Sequence, residues 1–215
     1  MLMKAIVLLS TLLMAATAAL AQGSRFTSEE LKQPVYKLLQ ELHQFGSSHN
    51  MLNVPPQDGR LLQMLVRMRG AKSVLEVGTS NGVSTIWMAL ALRETGGKLT
   101  TLEIDHEKVK LAGANFRKAG VEDLITIIEG DARQSLAGLK GNYDLVFIDA
   151  AKEQYKQYLD TIYPHITHGG VIVAHNALRL AESMRDYLDY VLDTEGLNTV
   201  ILQTGEDGVA LTYKK

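Results

Sequence analysis

The sequence predicts an α/β fold built on a doubly wound, largely parallel sheet, and three observations carry that expectation. From Ser73 onward, short apolar runs alternate with amphipathic ones, the pattern of repeated strand–helix units. The first unit, Val74-Leu-Glu-Val-Gly-Thr-Ser-Asn-Gly-Val-Ser84, runs from a strand through a glycine turn into a helix. The chain closes with two β-rich runs around the Gly205–Gly208 segment, which reads as a hairpin.

The elements follow in order. Thr27-Ser-Glu-Glu30 has the spacing of a capped helix start, and Leu31, Val35, Leu38, Leu39 and Leu42 continue it as an i, i+3/i+4 stripe. Gly46 to Pro56 reads as loop. A second helix carries Leu61, Leu62, Leu65, Val66 and Met68 and stops at Gly70. Strands are expected at 73–78, 98–103, 124–129, 143–148 and 170–175. Helices are expected at 82–94, 106–119, 132–139, 152–163 and 177–195. The run Tyr143-Asp-Leu-Val-Phe-Ile148 is mostly apolar, as a strand buried on both faces should be. The 177–195 helix places Ala181, Met184, Leu188, Val191 and Leu192 on one face. Trp87 is expected in the core.

The 215 residues are 46% hydrophobic with a formal charge of −2, enough chain for one domain with a full core. Its charges are interspersed, so there is no nucleic-acid footprint. With no cysteine, the chain has no disulfide, thiolate metal site or cysteine nucleophile. Met1-Leu-Met-Lys4, an uncharged apolar run from Ala5 to Ala21, and the A-x-A site Ala19-Leu-Ala21 form a secretory signal pattern. The expected mature chain starts at Gln22, periplasmic or secreted. An uncleaved leader would instead be a membrane anchor, the one route to membrane contact. The domain then spans 22–215, with a helical N-terminal segment at 27–69 and a sheet core at 72–215. A homodimer is left open.

An open parallel sheet binds its ligand at the carboxyl ends of its strands. Glu76-Val-Gly78, Glu103, Gly130-Asp131 and Asp149 stand there. Glu103, ending the second strand, can accept ribose hydroxyls and would reject a 2′-phosphate. Gly78-Thr-Ser-Asn-Gly82 has two glycines where a pyrophosphate cradle has three. A carboxylate beside that turn repels a diphosphate and suits a cationic ligand. S-adenosylmethionine, with its ribose, cationic sulfur and amino-acid end, fits better than NAD. A nucleotide-dependent oxidoreductase on the same fold remains the alternative.

From about Met51 to the C-terminus the chain resembles the cation-dependent O-methyltransferases of the catechol and caffeoyl-coenzyme A type. Val74–Ser84 carries the resemblance together with Leu102-Glu-Ile-Asp105, Lys118-Ala-Gly-Val121, Val146-Phe-Ile-Asp-Ala-Ala-Lys-Glu-Gln-Tyr155, Gly169-Gly-Val-Ile-Val-Ala-His-Asn176 and Gly205-Glu-Asp-Gly-Val-Ala-Leu211. It implies a Rossmann-like, seven-stranded methyltransferase sheet with the last strand antiparallel. It also implies that Glu76, Gly78, Ser84, Glu103, Asp131 and Ala132 line the cofactor site; Ser80 in the glycine turn and Asp149 at its strand end are further candidates. The acceptor it implies is a small catechol-like molecule.

Asp149 ends the fourth strand, His175-Asn176 the fifth, and Lys152 follows Asp149 by three residues. Strand ends about 5 Å apart let these side chains converge. In the resembling family two aspartates and an asparagine hold a divalent ion, and the lysine is the general base. Here His175 stands in place of the second aspartate. Three readings are open: a softer ion than magnesium on Asp149, His175 and Asn176; a metal-free site with His175 as base; or a cofactor-binding module without catalysis. The loop after the fifth strand also lacks a long insertion, Asn176 passing straight into the predicted helix.

Overall fold

The computed structural model describes residues 26–215. The expected leader, residues 1–21, lies outside the described residues. Among the described residues no helix is long and apolar enough to cross a membrane.

Two helices precede the sheet, α1 (Pro34–Ser48) and α2 (Pro56–Arg69). The capping box forms as spaced: Glu30 N–H donates to Thr27 Oγ1 (3.2 Å), and Thr27 N–H to Glu30 Oε2 (2.7 Å). It opens only a 3₁₀ turn, Glu30–Lys32, because Pro34 forces Gln33 into an extended conformation and α1 restarts at the proline. So Leu31 does not share a helix with Leu39 and Leu42. The expected loop is also shorter, since α1 runs to Ser48 and Pro56 already opens α2. Met68 is 78% exposed and leaves the predicted stripe.

Then come β1 (Ser73–Val77), α3 (Val83–Thr95), β2 (Lys98–Glu103), α4 (His106–Ala119), β3 (Ile125–Glu129), α5 (Ala132–Ala137), β4 (Tyr143–Ile148), α6 (Tyr155–Ile162), β5 (Ile166–His175), α7 (Arg185–Asp193), β6 (Leu197–Leu202) and β7 (Val209–Lys214). They form one seven-stranded sheet in the order β3-β2-β1-β4-β5-β7-β6. The first five strands are parallel, and β7 pairs antiparallel with both β5 and β6. Strand β5 begins four residues before the expected 170, beyond a register shift opposite Tyr143 and Leu145. The expected helix at 177–195 is also interrupted. Residues 177–180 turn, 181–184 are 3₁₀, and only 185–193 are α-helical. The turn is held by Ala177 and Leu178 N–H groups donating to Gly208 and Asp207 carbonyls in the hairpin (3.1 and 2.9 Å).

The sheet is covered on both faces. Leu145 and Phe147 of β4 join one apolar cluster with α1, α2 and α3, where Trp87 is fully buried; Val146 and Ile148 join the other with α6 and α7. The strand order reverses between β1 and β4, so a crevice opens beyond Val77 and Ile148, where such sheets bind ligands.

Candidate active site

At that crevice lies a cavity of about 860 Å³. Its walls come from the ends of β1, β2, β3, β4 and β5, roofed by the end of α1 and the 50–53 loop. Gly78, Ser80, Glu103, Asp131, Ala132, Asp149, Lys152, His175 and Asn176 all reach it.

Gly78 makes the approach of β1 and β4 feasible. Its φ is +99°, and a Cβ there would lie 2.2 Å from the Asp149 carbonyl oxygen. Glu103 Oε2 accepts from Ser80 N–H (2.8 Å), while Oε1 accepts from Ile104 and Asp105 N–H (both 3.0 Å). A carboxylate has about four acceptor positions, so roughly one remains for a ligand hydroxyl. Asp131 caps α5 through Arg133 N–H (2.9 Å) and pairs with the Arg133 guanidinium, which lowers its pKa.

Glu76 and Ser84 do not line the cavity. Glu76 is fully buried behind the Gly78 turn, where Ser84, Thr85 and Thr101 hydroxyls all donate to its carboxylate. Burial raises its pKa to about 7 against the pull of those hydroxyls. It is an internal strut tying β1 to β2 and α3, so its expected cofactor contact is corrected.

The reactive end is a chain of paired groups. Lys152 Nζ donates to Asp149 Oδ1 (2.8 Å) and to the Tyr155 hydroxyl (2.7 Å). His175 Nδ1 lies 3.3 Å from Asp149 Oδ2, and His175 Nε2 lies 2.9 Å from Asp58 Oδ2. Burial works against charge on His175, but hydrogen bonds to Asp149 and Asp58 outweigh it and raise its pKa to about 9. Asp149 likewise resists burial: His175 and Lys152 hold its pKa below the usual carboxylate value. The imidazole is thus protonated at neutral pH with both N–H groups engaged. It has no lone pair to take a proton, so the expectation of His175 as general base is corrected.

The same geometry tests the expected metal ligands. A ligating imidazole must be neutral and present a bare nitrogen, and His175 presents none. Both oxygens of Asp149 face a cation or an N–H. Asn176, at φ 63°, turns its amide N–H₂ toward Asp207 Oδ1 (2.8 Å). Among the described residues no three His, Asp or Glu side chains are grouped to hold an ion. Asp149, His175 and Asn176 reach one cavity as expected, but the two Asp149 oxygens are taken by Lys152 and His175, and the His175 ring has no bare nitrogen. They do not fit a divalent ion.

Asp58 and Tyr155 were not anticipated. Asp58 had a readable signal: Asp58, Leu62 and Val66 recur at i, i+4 and i+8 on the buried face of α2. An acid on that face calls for a partner. Tyr155 sits inside the Phe147–Tyr155 run, but only the fold shows that its hydroxyl meets Lys152.

A family model described as O-methyltransferase matches residues 27–189. A catechol O-methyltransferase of Mycobacterium tuberculosis is 37% identical over 176 residues, 74% of this chain and 79% of that protein. A caffeoyl-CoA O-methyltransferase of Populus kitakamiensis is 35% identical over 170 residues, 70% and 72% of the two chains. The crystal structure of a Bacillus cereus O-methyltransferase in complex with SAH superposes with a TM-score of 0.76 at 27% identity, covering 83% of this chain and 91% of that one. The match over most of the chain, together with the strand-end cavity, shows that this chain belongs to the O-methyltransferase family.

Proposed function

We propose that this O-methyltransferase moves a methyl group from S-adenosylmethionine to one hydroxyl of a small, catechol-like acceptor. The observation that carries the reading is the division of one cavity at the β1/β4 switch. The Gly78 turn and Glu103 stand on one side, and Lys152, fixed by Asp149 and Tyr155, on the other. The SAH-bound Bacillus cereus neighbour and the relatives named for catechol and caffeoyl-CoA support the cofactor and the acceptor class.

The residues present fit the cofactor. Glu103 Oε2 keeps an acceptor position for a ribose hydroxyl, and the glycine turn leaves room for the amino-acid end beside Gly78. When bound, S-adenosylmethionine supplies an electrophilic methyl group on a cationic sulfur. Lys152 lies on the cavity wall, where an acceptor hydroxyl can reach it. Lys152 Nζ, held by Asp149 and Tyr155, gives up a proton before it acts as the base; a phenol and a primary amine have closely matched ordinary proton affinities, so transfer between them then costs little. Asp149 and Tyr155 fix the position of Nζ, and the acceptor oxygen freed of its proton is the nucleophile.

The test is calorimetry with S-adenosylmethionine and with NAD, followed by measurement of S-adenosylhomocysteine formed in the presence of catechol. Binding of S-adenosylmethionine alone, with turnover, is the expected result. Binding of NAD in its place would return the protein to the oxidoreductase alternative. Cofactor binding with no turnover on any hydroxylated acceptor would make it a non-catalytic module.

A further inference from the structure

We propose that the Asp58–His175–Asp149 bridge takes the place of a divalent ion, so that methyl transfer here is metal-independent, with Asp58 as the positioning residue that holds His175. The inference rests on the methyltransferase reading above and names what organises that site.

The bridge is built from three separate elements. Asp58 lies in the first turn of α2, His175 at the end of β5, and Asp149 just beyond β4. His175 is 3% exposed and Asp58 2%, so the pair is cut off from water. Each ring nitrogen faces one carboxylate, at 2.9 and 3.3 Å, which leaves the ring no free edge for a metal. Asp58 Oδ1 is buried without a hydrogen-bond partner. A buried carboxyl group with one oxygen unsatisfied needs a strong partner on the other, and His175 is the group there.

The charges then balance without an ion. Asp58 and Asp149 face His175 and Lys152, two acids against two bases. A divalent ion on Asp149 would have to displace His175 Nδ1 from Oδ2 and Lys152 Nζ from Oδ1. It would leave excess positive charge in a buried place. The chain also has a mechanical consequence. Asp58 sets the ring of His175, the ring sets Asp149 Oδ2, and Asp149 Oδ1 sets the Nζ that faces the acceptor. Asp58 does not line the cavity, so its influence on the reaction passes through this chain.

Three preparations of the full chain decide the matter: wild type, Asp58→Asn and His175→Asp, each stripped with EDTA and gel-filtered. Mn²⁺ and Mg²⁺ are titrated into each by calorimetry, and S-adenosylhomocysteine formation is followed with catechol as probe acceptor. The stripped wild type is expected to show no saturable ion binding and unchanged turnover. His175→Asp is expected to gain saturable Mn²⁺ binding, because it exchanges the internal cation for a third carboxylate. Asp58→Asn keeps the shape but not the charge; its kcat is expected to fall on the order of 10–100-fold, the scale known for partners that orient a metal-bound histidine, with an unchanged KM for S-adenosylmethionine. Saturable ion binding to the wild type, or loss of its turnover on stripping with recovery on adding an ion, overturns the proposal. The wild-type ion titration stands even where a variant misfolds. It also separates the two readings: absence of turnover with and without ions counts against the methyltransferase reading, while the titration still decides the bridge.

Discussion

His175 Nε2 lies 2.9 Å from Asp58 Oδ2, joining the end of β5 to the first turn of α2 across 117 positions of sequence. Through that bond the helical segment before the sheet becomes part of the reactive centre.

One consequence is a dependence of stability on pH. The pKa of His175 rises from an ordinary 6.5 to about 9, because its bonds to Asp149 and Asp58 outweigh the cost of burying its charge. A raised folded-state pKa contributes stability that is complete below pH 6.5 and disappears as pH rises through about 9. The loss is on the order of 3 kcal/mol. Urea unfolding between those limits should show it, and His175→Gln should flatten the curve. An equally steep curve in the variant would assign the dependence elsewhere.

Glu76 acts in a lower window. Burial raises its pKa from 4.5 to about 7, so the folded protein holds a proton that the unfolded chain releases. Stability therefore falls as pH climbs from 4.5 to 7. Glu76→Gln keeps a polar group for Ser84, Thr85 and Thr101 while removing the charge. The variant should be more stable than wild type at pH 8, by on the order of 1–3 kcal/mol. Its affinity for S-adenosylmethionine should be unchanged, since Glu76 is outside the cavity. Weakened binding in calorimetry would put it back among the cofactor contacts.

Lys152→Ala should lower kcat about 10²–10⁴-fold, the usual contribution of a general base. The Kd of S-adenosylmethionine should hardly move. Steady-state rates and calorimetry on one preparation separate the two effects. Near-normal turnover would mean that another group takes the acceptor proton.

Glu103→Ala should weaken S-adenosylmethionine binding by about 1–3 kcal/mol, the range for hydrogen bonds to a charged group. Some of that loss comes from the Ser80, Ile104 and Asp105 N–H groups the carboxylate now holds. Unaltered affinity would remove Glu103 from the site.

Gly78→Ala places a methyl group 2.2 Å from the Asp149 carbonyl at a φ of +99°. Asp149 must shift, and Lys152 and His175 with it. A lower Tm and a lower kcat are expected together. A variant with native stability and rate would show that the β1–β4 crevice has slack.

Local signals recorded much of this fold faithfully. The strands at 98–103 and 143–148 and the helix at 106–119 have the bounds read from hydrophobic period alone. There the pattern, the caps and the tertiary burial agree. They part where another force competes. Pro34 breaks the first helix despite a continuous apolar stripe, because it restricts the residue before it. Residues 177–180 give up helical bonds to pair with the Asp207–Gly208 turn, a partner some thirty positions away that no window of sequence contains.

The sequence by itself determined that strand ends would carry Gly78, Glu103, Asp131 and Asp149 into one crevice, because parallel βα units put every such end on the same side. It also placed Lys152 close to Asp149, three residues further on. What it left open was the protonation of His175, since that depends on which acids meet the ring. Only the tertiary structure decided this, by packing the buried face of α2 against the end of β5 and bringing Asp58 to His175 Nε2. A charge's pKa is set by its neighbours in space, and Asp58 becomes a neighbour of His175 only when the chain is folded.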